Sequence, residues 1–170
     1  GVRKCKPAHF MTLDSKGGLA EKRYWDLSAN RSAVKRSDEE WREAIHQSLL
    51  QAVKKRLTIA DVPVGVLLSG GLDSSLLVAL LAEAGTKDIK TFSIGFEDQP
   101  EEKGNEFEFS DPVAAMYQTD HHKYLIPNSE VLQRLPEAVA NMAEPMFGQD
   151  AVAFYLLSEQ VAKSVKVVQS

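Results

Sequence analysis

The stretch VPVGVLLSGGLDSSLLVALLAEAG, from Val62 to Gly85, constrains the fold more than any other part of the chain. Val64 to Leu68 has no polar member, the pattern of a strand covered on both faces in a parallel sheet. Asp73 to Ala84 is helix-length and almost wholly apolar, and Gly85 stands where a left-handed residue ends helices. Between these buried segments lies a polar, flexible heptad, Ser69-Gly70-Gly71-Leu72-Asp73-Ser74-Ser75. In an open parallel sheet, ligands bind outside the carboxyl ends of the strands, where the following helix presents free backbone N–H groups. The heptad occupies that place.

The rest of the chain agrees with a strand–helix alternation. HFMTLD, a turn at SKGG and AEKRYWDL read as a hairpin. Ser37 and Glu40 form a capping box ahead of Trp41, Ala44, Ile45, Leu49, Ala52 and Val53, whose helical spacing places Trp41 in a core. Lys54, Lys55 and Arg56 fall in the last turn of that helix, where the dipole favours cations. A second strand is expected at Lys90–Phe96, then a mobile acidic loop from Glu97 to Glu108, solvated around Glu101 and Glu102. A short helix is expected to start at Ser110-Asp111-Pro112, and a third strand to cover His121–Ile126. Two more helices follow, Ser129–Met142 interrupted by Pro136 and Ala151–Lys163, and then a fourth buried strand at Val165–Val168. This order predicts an α/β fold, an open parallel sheet with helices on both faces.

Composition narrows the function. The 170 residues, 44% of them hydrophobic, suffice for one ordinary core. Twenty basic and 24 acidic side chains give a net charge of −4, so no positive surplus exists to hold nucleic acid or an anionic membrane. Cys5 is the single cysteine, which rules out an internal disulfide and a Cys-x-x-Cys metal pair and fits a reducing cytoplasm. No apolar run reaches the roughly 18–20 residues needed to span a bilayer, and GVRKCKPAHF lacks the apolar core of a signal peptide. The start without methionine and the stop after VKVVQS lead us to expect a piece of a longer chain.

The heptad itself describes an anion cradle. Gly70 and Gly71 remove side chains so that backbone N–H groups can approach an oxyanion, and Ser69, Ser74 and Ser75 add hydroxyls. Asp73 would repel bound phosphates unless a cation stands between them. Mg²⁺, which takes one or two carboxylates together with phosphate oxygens, resolves that conflict. Neither Gly-Lys-Ser/Thr nor Gly-x-Gly-x-x-Gly is present, which argues against a Walker A loop and a dinucleotide fold. The competing structural explanation is a tight strand-to-helix turn whose serines only cap the helix. His121 and His122 are adjacent, so in a strand they face opposite ways and serve structure rather than a shared metal. Asp150, ahead of an apolar helix, is a candidate N-cap or substrate contact.

SGGLDSS after an apolar strand resembles the pyrophosphate loop of the PP-loop ATP pyrophosphatases, which are adenine nucleotide α-hydrolase-like. VPVGVLLSGGLDSS resembles more specifically the synthetase domain of the glutamine-dependent asparagine synthetases. TFSIGFED is similar to that family's second strand, TDHHKY to its third, Glu144-Pro145 to a family turn, and VVQS to the strand before its Gly-x-Gly-Ala/Ser-Asp-Glu motif. GVRKCKPAH and RYWDL resemble the segment that joins its glutaminase domain to the synthetase domain. GNEFEFSD, EPMFGQDAVAFYLLSE and VKVVQS look closest to the branch that amidates N-acetylglutaminylglutamine.

The resemblance implies that residues 1–36 are a linker and hairpin from the end of a glutaminase domain, and 37–170 the first part of a synthetase domain. It implies ATP-dependent adenylation of a carboxylate, aspartate or a related acid or peptide, with release of pyrophosphate and amidation by glutamine-derived ammonia. Ser69, Gly70, Gly71, Asp73, Ser74 and Ser75 would hold the pyrophosphate, Asp73 would hold Mg²⁺ and act catalytically, Leu68 and Ile94 would touch the adenine beside Gly95, and Ser170 would contact the nucleotide. The partners implied are ATP, the carboxylate and the glutaminase domain of the same parent chain, with a homodimer admitted. The family's N-terminal cysteine nucleophile and the acidic pair after the fourth strand are missing, so this piece alone is expected to be inactive, and Cys5 is read as incidental. Two alternatives stay open: another PP-loop enzyme, of the GMP synthetase, argininosuccinate synthetase or tRNA thiolase type, and a nucleotide-binding module without catalysis.

Overall fold

The computed structural model describes residues 3–28, 34–101, 103–144 and 150–170, in two units, Gly1–Glu39 and Glu40–Ser170. Gly1, Glu102 and Pro145 to Gln149 lie outside the described residues.

In the first unit, β1 (His9–Leu13) and β2 (Leu19–Arg23) pair antiparallel, His9 opposite Arg23 and Leu13 opposite Leu19. The turn is fixed by Asp14, whose carboxylate accepts the N–H groups of Lys16 at 2.8 Å and Gly18 at 2.7 Å. Such an Asx turn supplies the bend that the sequence places at SKGG. Cys5 is exposed, and its thiol donates to the His9 carbonyl at 3.3 Å.

The second unit runs through α1 (Asp38–Ile59), β3 (Val64–Leu67), α2 (Leu72–Glu83), β4 (Lys90–Phe96) and α3 (Phe107–Met116). It continues through β5 (Asp120–Ile126), α4 (Asn128–Asn141), α5 (Asp150–Val161) and β6 (Val167–Gln169). The strands form one parallel sheet in the order β5-β4-β3-β6. Side chains alternate across β3 and divide the core in two. Val66 and Leu68 pack with Leu50 and Val53 of α1, Val78 and Leu81 of α2 and Ala114 of α3. On the opposite face, Phe92 and Leu67 meet Leu157 and Val161 of α5, while Ile126, Ala138, Val152 and Leu156 bring in α4. Helices therefore cover both faces, as expected of a doubly wound sheet.

Helix α2 ends as its sequence requires. Gly85 has φ +85°, its N–H reaches the Ala82 carbonyl at 3.0 Å, and the Thr86 N–H reaches that of Leu81 at 3.1 Å. These paired bonds satisfy two carbonyls that the last turn leaves free.

Several expectations need correction. Trp41 is 43% exposed and not core: of the residues at helical spacing Val53 is buried as expected, whereas Ile45 and Leu49 are exposed and Leu50 takes the buried place instead. The last turn of α1 holds Arg56 alone of the three basic residues, since the helix runs on to Ile59. Helix α3 starts at Phe107, where Asn105 Oδ1 accepts the Phe107 N–H at 3.3 Å, so Pro112 lies inside the helix. In the described part of the loop before it, Asp98 accepts the Gly104 N–H at 2.9 Å and Glu97 accepts the Asn128 N–H at 3.0 Å. Pro136 sits within α4 without breaking it, on an exposed face where the freed Leu132 carbonyl can turn to water. Val167 and Val168 are 41% and 36% exposed, because β6 pairs with β3 and with no other described strand.

Candidate functional site

Strand β3 is where the sheet changes direction. The chain leaves it for β4 on one side, and β6 arrives on the other, the arrangement that opens a crevice at the carboxyl edge. β4 holds the chain one residue beyond the strand: the Leu68 N–H donates to the Phe92 carbonyl at 2.8 Å, and the buried Ser93 hydroxyl donates to the Leu68 carbonyl. From that anchored point the heptad turns into α2.

The loop braces itself with its own hydroxyls. Ser69 Oγ accepts the Gly71 N–H at 3.2 Å and lies 3.1 Å from Ser74 Oγ, which donates to the Gly71 carbonyl at 3.2 Å. Among the described residues no side chain caps the N-terminus of α2, so the first-turn N–H groups keep their donor capacity. Asp73 is exposed in that turn, and Ser75 Oγ is buried with no hydrogen-bond partner among the described residues.

The two loop glycines serve opposite needs. Gly70 has φ +87°, and a Cβ there would fall 2.4 Å from the Phe109 carbonyl carbon and 2.5 Å from the Ser110 nitrogen. Its bare face packs on the backbone of α3, a need for glycine that the sequence did not show. Gly71 has φ −67° and ψ 168°, where any residue is at ease, and a Cβ there would approach only Ser69 Oγ, at 3.4 Å. Neither backbone conformation nor packing among the described residues requires glycine at 71, and the space beside it at the N-terminus of α2 is open.

A cleft of about 340 Å³ gathers six of the expected residues, Leu68, Ser69, Asp73, Ser74, Ile94 and Ser170. A larger opening of about 900 Å³ on the α1–α2 side, lined by apolar residues such as Leu49, Val53 and Leu76, shares Asp73 and Ser170 with it. Those two polar residues thus stand at the junction of both spaces. Gly70, Gly71, Ser75 and Gly95 are not among the cleft-lining residues. Gly95 is covered, since a Cβ there would lie 2.4 Å from Asn105 Cβ and 2.9 Å from Phe107 Cζ. Asp150 is the first residue of α5 and lines neither space.

The cleft also contains residues the sequence reading missed: Glu106, Phe107 and Ser110 from the start of α3, and Phe154 and Leu157 from α5. Phe107, Ser110 and Ala114 recur at helical spacing, a signal obscured by assigning the stretch up to Glu108 to a loop. Asp111 anchors α3 to β5 through Lys123 at 2.9 Å. His121 faces the same way, with Nδ1 2.8 Å from Thr91 Oγ1, and burial holds its pKa below the usual imidazole value against the opposing pull of Asp111. His122 points to the other face and stacks on Phe92, centroids 5.1 Å apart, so the adjacent pair faces opposite ways as expected of a strand.

Among the described residues no three potential metal-ligating side chains cluster. A lone exposed carboxylate beside an uncapped helix N-terminus still fits Mg²⁺ delivered with a phosphate, because such an ion needs only one or two carboxylates from the protein. The open space at Gly71 fits the phosphate itself.

A parallel sheet with this loop at its switch point defines a PP-loop domain of the adenine nucleotide α-hydrolase-like class. Glutamine-dependent NAD⁺ synthetase from Acinetobacter baumannii, solved in complex with ADP, superposes with a TM-score of 0.55 at 19% identity, over 93% of this chain and 29% of that one. Residues 44–170 match the asparagine synthase family model, and the chain belongs to that family. It is 33% identical over 82% of its length to the glutamine-hydrolyzing asparagine synthetase 3 of Bacillus subtilis (strain 168), covering 24% of that protein. It is 32% identical over 96% of its length to a probable glutamine-hydrolyzing asparagine synthetase of Dictyostelium discoideum, covering 31% of it. The chain therefore spans about a quarter to a third of the relatives it matches.

Proposed function

We propose that this chain supplies the nucleotide-activating part of an ATP-dependent amidotransferase. The observation that carries the reading is the N-terminus of α2, with Gly71 open and unstrained at its cap position and Asp73 in its first turn, where Asp73 shares a cleft with Ser69, Ser74 and Ser170. ATP binds with its β- and γ-phosphates on the first-turn N–H groups of α2 and the hydroxyls of Ser69 and Ser74. The partial positive charge of the helix end and these preorganised donors stabilise charge as it moves onto the leaving pyrophosphate. Asp73 would hold Mg²⁺, which neutralises phosphate charge and makes pyrophosphate a better leaving group. Ser170, at the junction of the two spaces, contacts the phosphate that is attacked. A carboxylate oxygen of the acceptor attacks the α-phosphorus and the bond to pyrophosphate breaks; ammonia then attacks the acyl carbon and AMP departs.

The acceptor is aspartate or a related acid or peptide, N-acetylglutaminylglutamine among them. The ammonia comes from glutamine hydrolysed in a glutaminase domain of the same polypeptide, with residues 1–36 as the connecting segment and 37–170 as the start of the synthetase domain. Family membership and the names of the relatives support this assignment.

The test is product analysis on the full polypeptide. Pyrophosphate should form only when ATP, Mg²⁺ and an acidic acceptor are all present, and AMP only when glutamine or ammonia is supplied as well. Asp73→Asn should abolish that release while leaving circular dichroism unchanged. Formation of ADP instead, or wild-type activity in Asp73→Asn, would overturn the proposal.

A further inference from the structure

The cleft has two chemical halves. Its polar half is the loop, with Ser69, Asp73 and Ser74; its apolar half includes Leu68, Ile94, Phe107 and Phe154. Phe92, which also lines the cleft, is fully buried and stacked on His122, and of the two aromatic side chains that the helices bring there, Phe107 and Phe154, Phe107 is the more firmly placed. Its N–H is held by Asn105 Oδ1 at 3.3 Å, its ring tip rests on the bare Cα of Gly95, and Lys123 Nζ lies over the ring 5.3 Å from the centroid. Lys123 is itself fixed by Asp111 at 2.9 Å. A cation over an aromatic face and a glycine under its tip leave the ring little freedom. Phe154, by contrast, is 50% exposed.

We infer that Phe107 is the wall against which the nucleotide base packs, so that Gly95 serves the base indirectly, by making room for the ring. This rests on the nucleotide reading above. A rigid aromatic surface beside a phosphate-binding loop suits a planar heterocycle joined to phosphates, and it offers nothing to pyrophosphate alone. Phe107 is accordingly specificity-determining for nucleotide over free pyrophosphate.

Two ligands separate this inference from the reading it rests on. Titration calorimetry with inorganic pyrophosphate and with MgATP is carried out on the wild-type chain, Phe107→Ala and Phe107→Leu. The expected result is that Phe107→Ala binds MgATP about tenfold or more weakly, as loss of aromatic–base stacking does, with pyrophosphate affinity unchanged and Phe107→Leu intermediate for MgATP. If MgATP binds Phe107→Ala as tightly as wild type, the inference is overturned and the nucleotide reading stands. If both ligands weaken together in both variants, Phe107 acts through the fold and the inference is likewise overturned. If the wild-type chain binds neither ligand, the nucleotide reading itself fails and takes the inference with it.

Discussion

Replacing Gly71 by alanine should separate stability from ligand binding. At φ −67° and ψ 168° alanine is unstrained, and its Cβ would touch only Ser69 Oγ at 3.4 Å. Loss of glycine's freedom in the unfolded chain stabilises by about 0.4–1 kcal/mol. Alanine is a poorer N-cap than glycine, which opposes that gain by an amount on the order of 0.5–1 kcal/mol. The two effects nearly cancel, so the melting temperature should move by no more than about 2–4 °C. The methyl group nevertheless takes up part of the open space at the N-terminus of α2, where the proposed anion would sit. Losing one hydrogen bond to a charged oxygen removes about 1.5–3 kcal/mol, equivalent to roughly a 10- to 150-fold weaker Kd. Pyrophosphate titration beside thermal melts of the same samples measures both quantities. Wild-type pyrophosphate affinity in Gly71→Ala would refute the assignment of that space to an anion, and a large loss of stability would refute the claim that nothing else requires glycine there.

The neighbouring glycine should behave in the opposite way. Gly70→Ala forces an L residue to φ +87°, a strain of about 1–2 kcal/mol, and drives its Cβ onto the α3 backbone, so urea midpoints should fall by the equivalent of about 3 kcal/mol or more; a near-neutral variant would contradict the packing described. His121 should make stability depend on pH. Because burial lowers its pKa below 6.5, the folded chain resists a proton that the unfolded chain accepts, so its contribution is complete above about pH 6.5 and is lost as pH falls below that. Melts from pH 7.5 downward should decline more steeply for wild type than for His121→Gln, and parallel curves would exclude His121 as the source.

Much of the site was legible because short-range rules govern it. An all-apolar run, a glycine pair and an apolar helix specify strand, turn and helix by local conformation. The order of elements then places the loop at a carboxyl edge. The readings that failed each depended on what another segment does. Nothing local reveals that Phe109 and Ser110 occupy the space at Gly70, or that Asn105 and Phe107 cover Gly95. Trp41 and Val167 are apolar enough for a core, yet burial requires a partner surface, and the described residues leave both substantially exposed.

By itself, then, the sequence determined the alternation of strands and helices, the polar glycine-containing turn of Ser69 to Ser75 between β3 and α2 and the family to which it points, because these rest on backbone preference and residue chemistry within a few positions. Only the tertiary structure decided which glycine faces helix and which faces open space, and that α3 and α5 build the other half of the cleft. Those facts come from close approaches between residues far apart in the chain, set by the packing of the whole sheet and its helices.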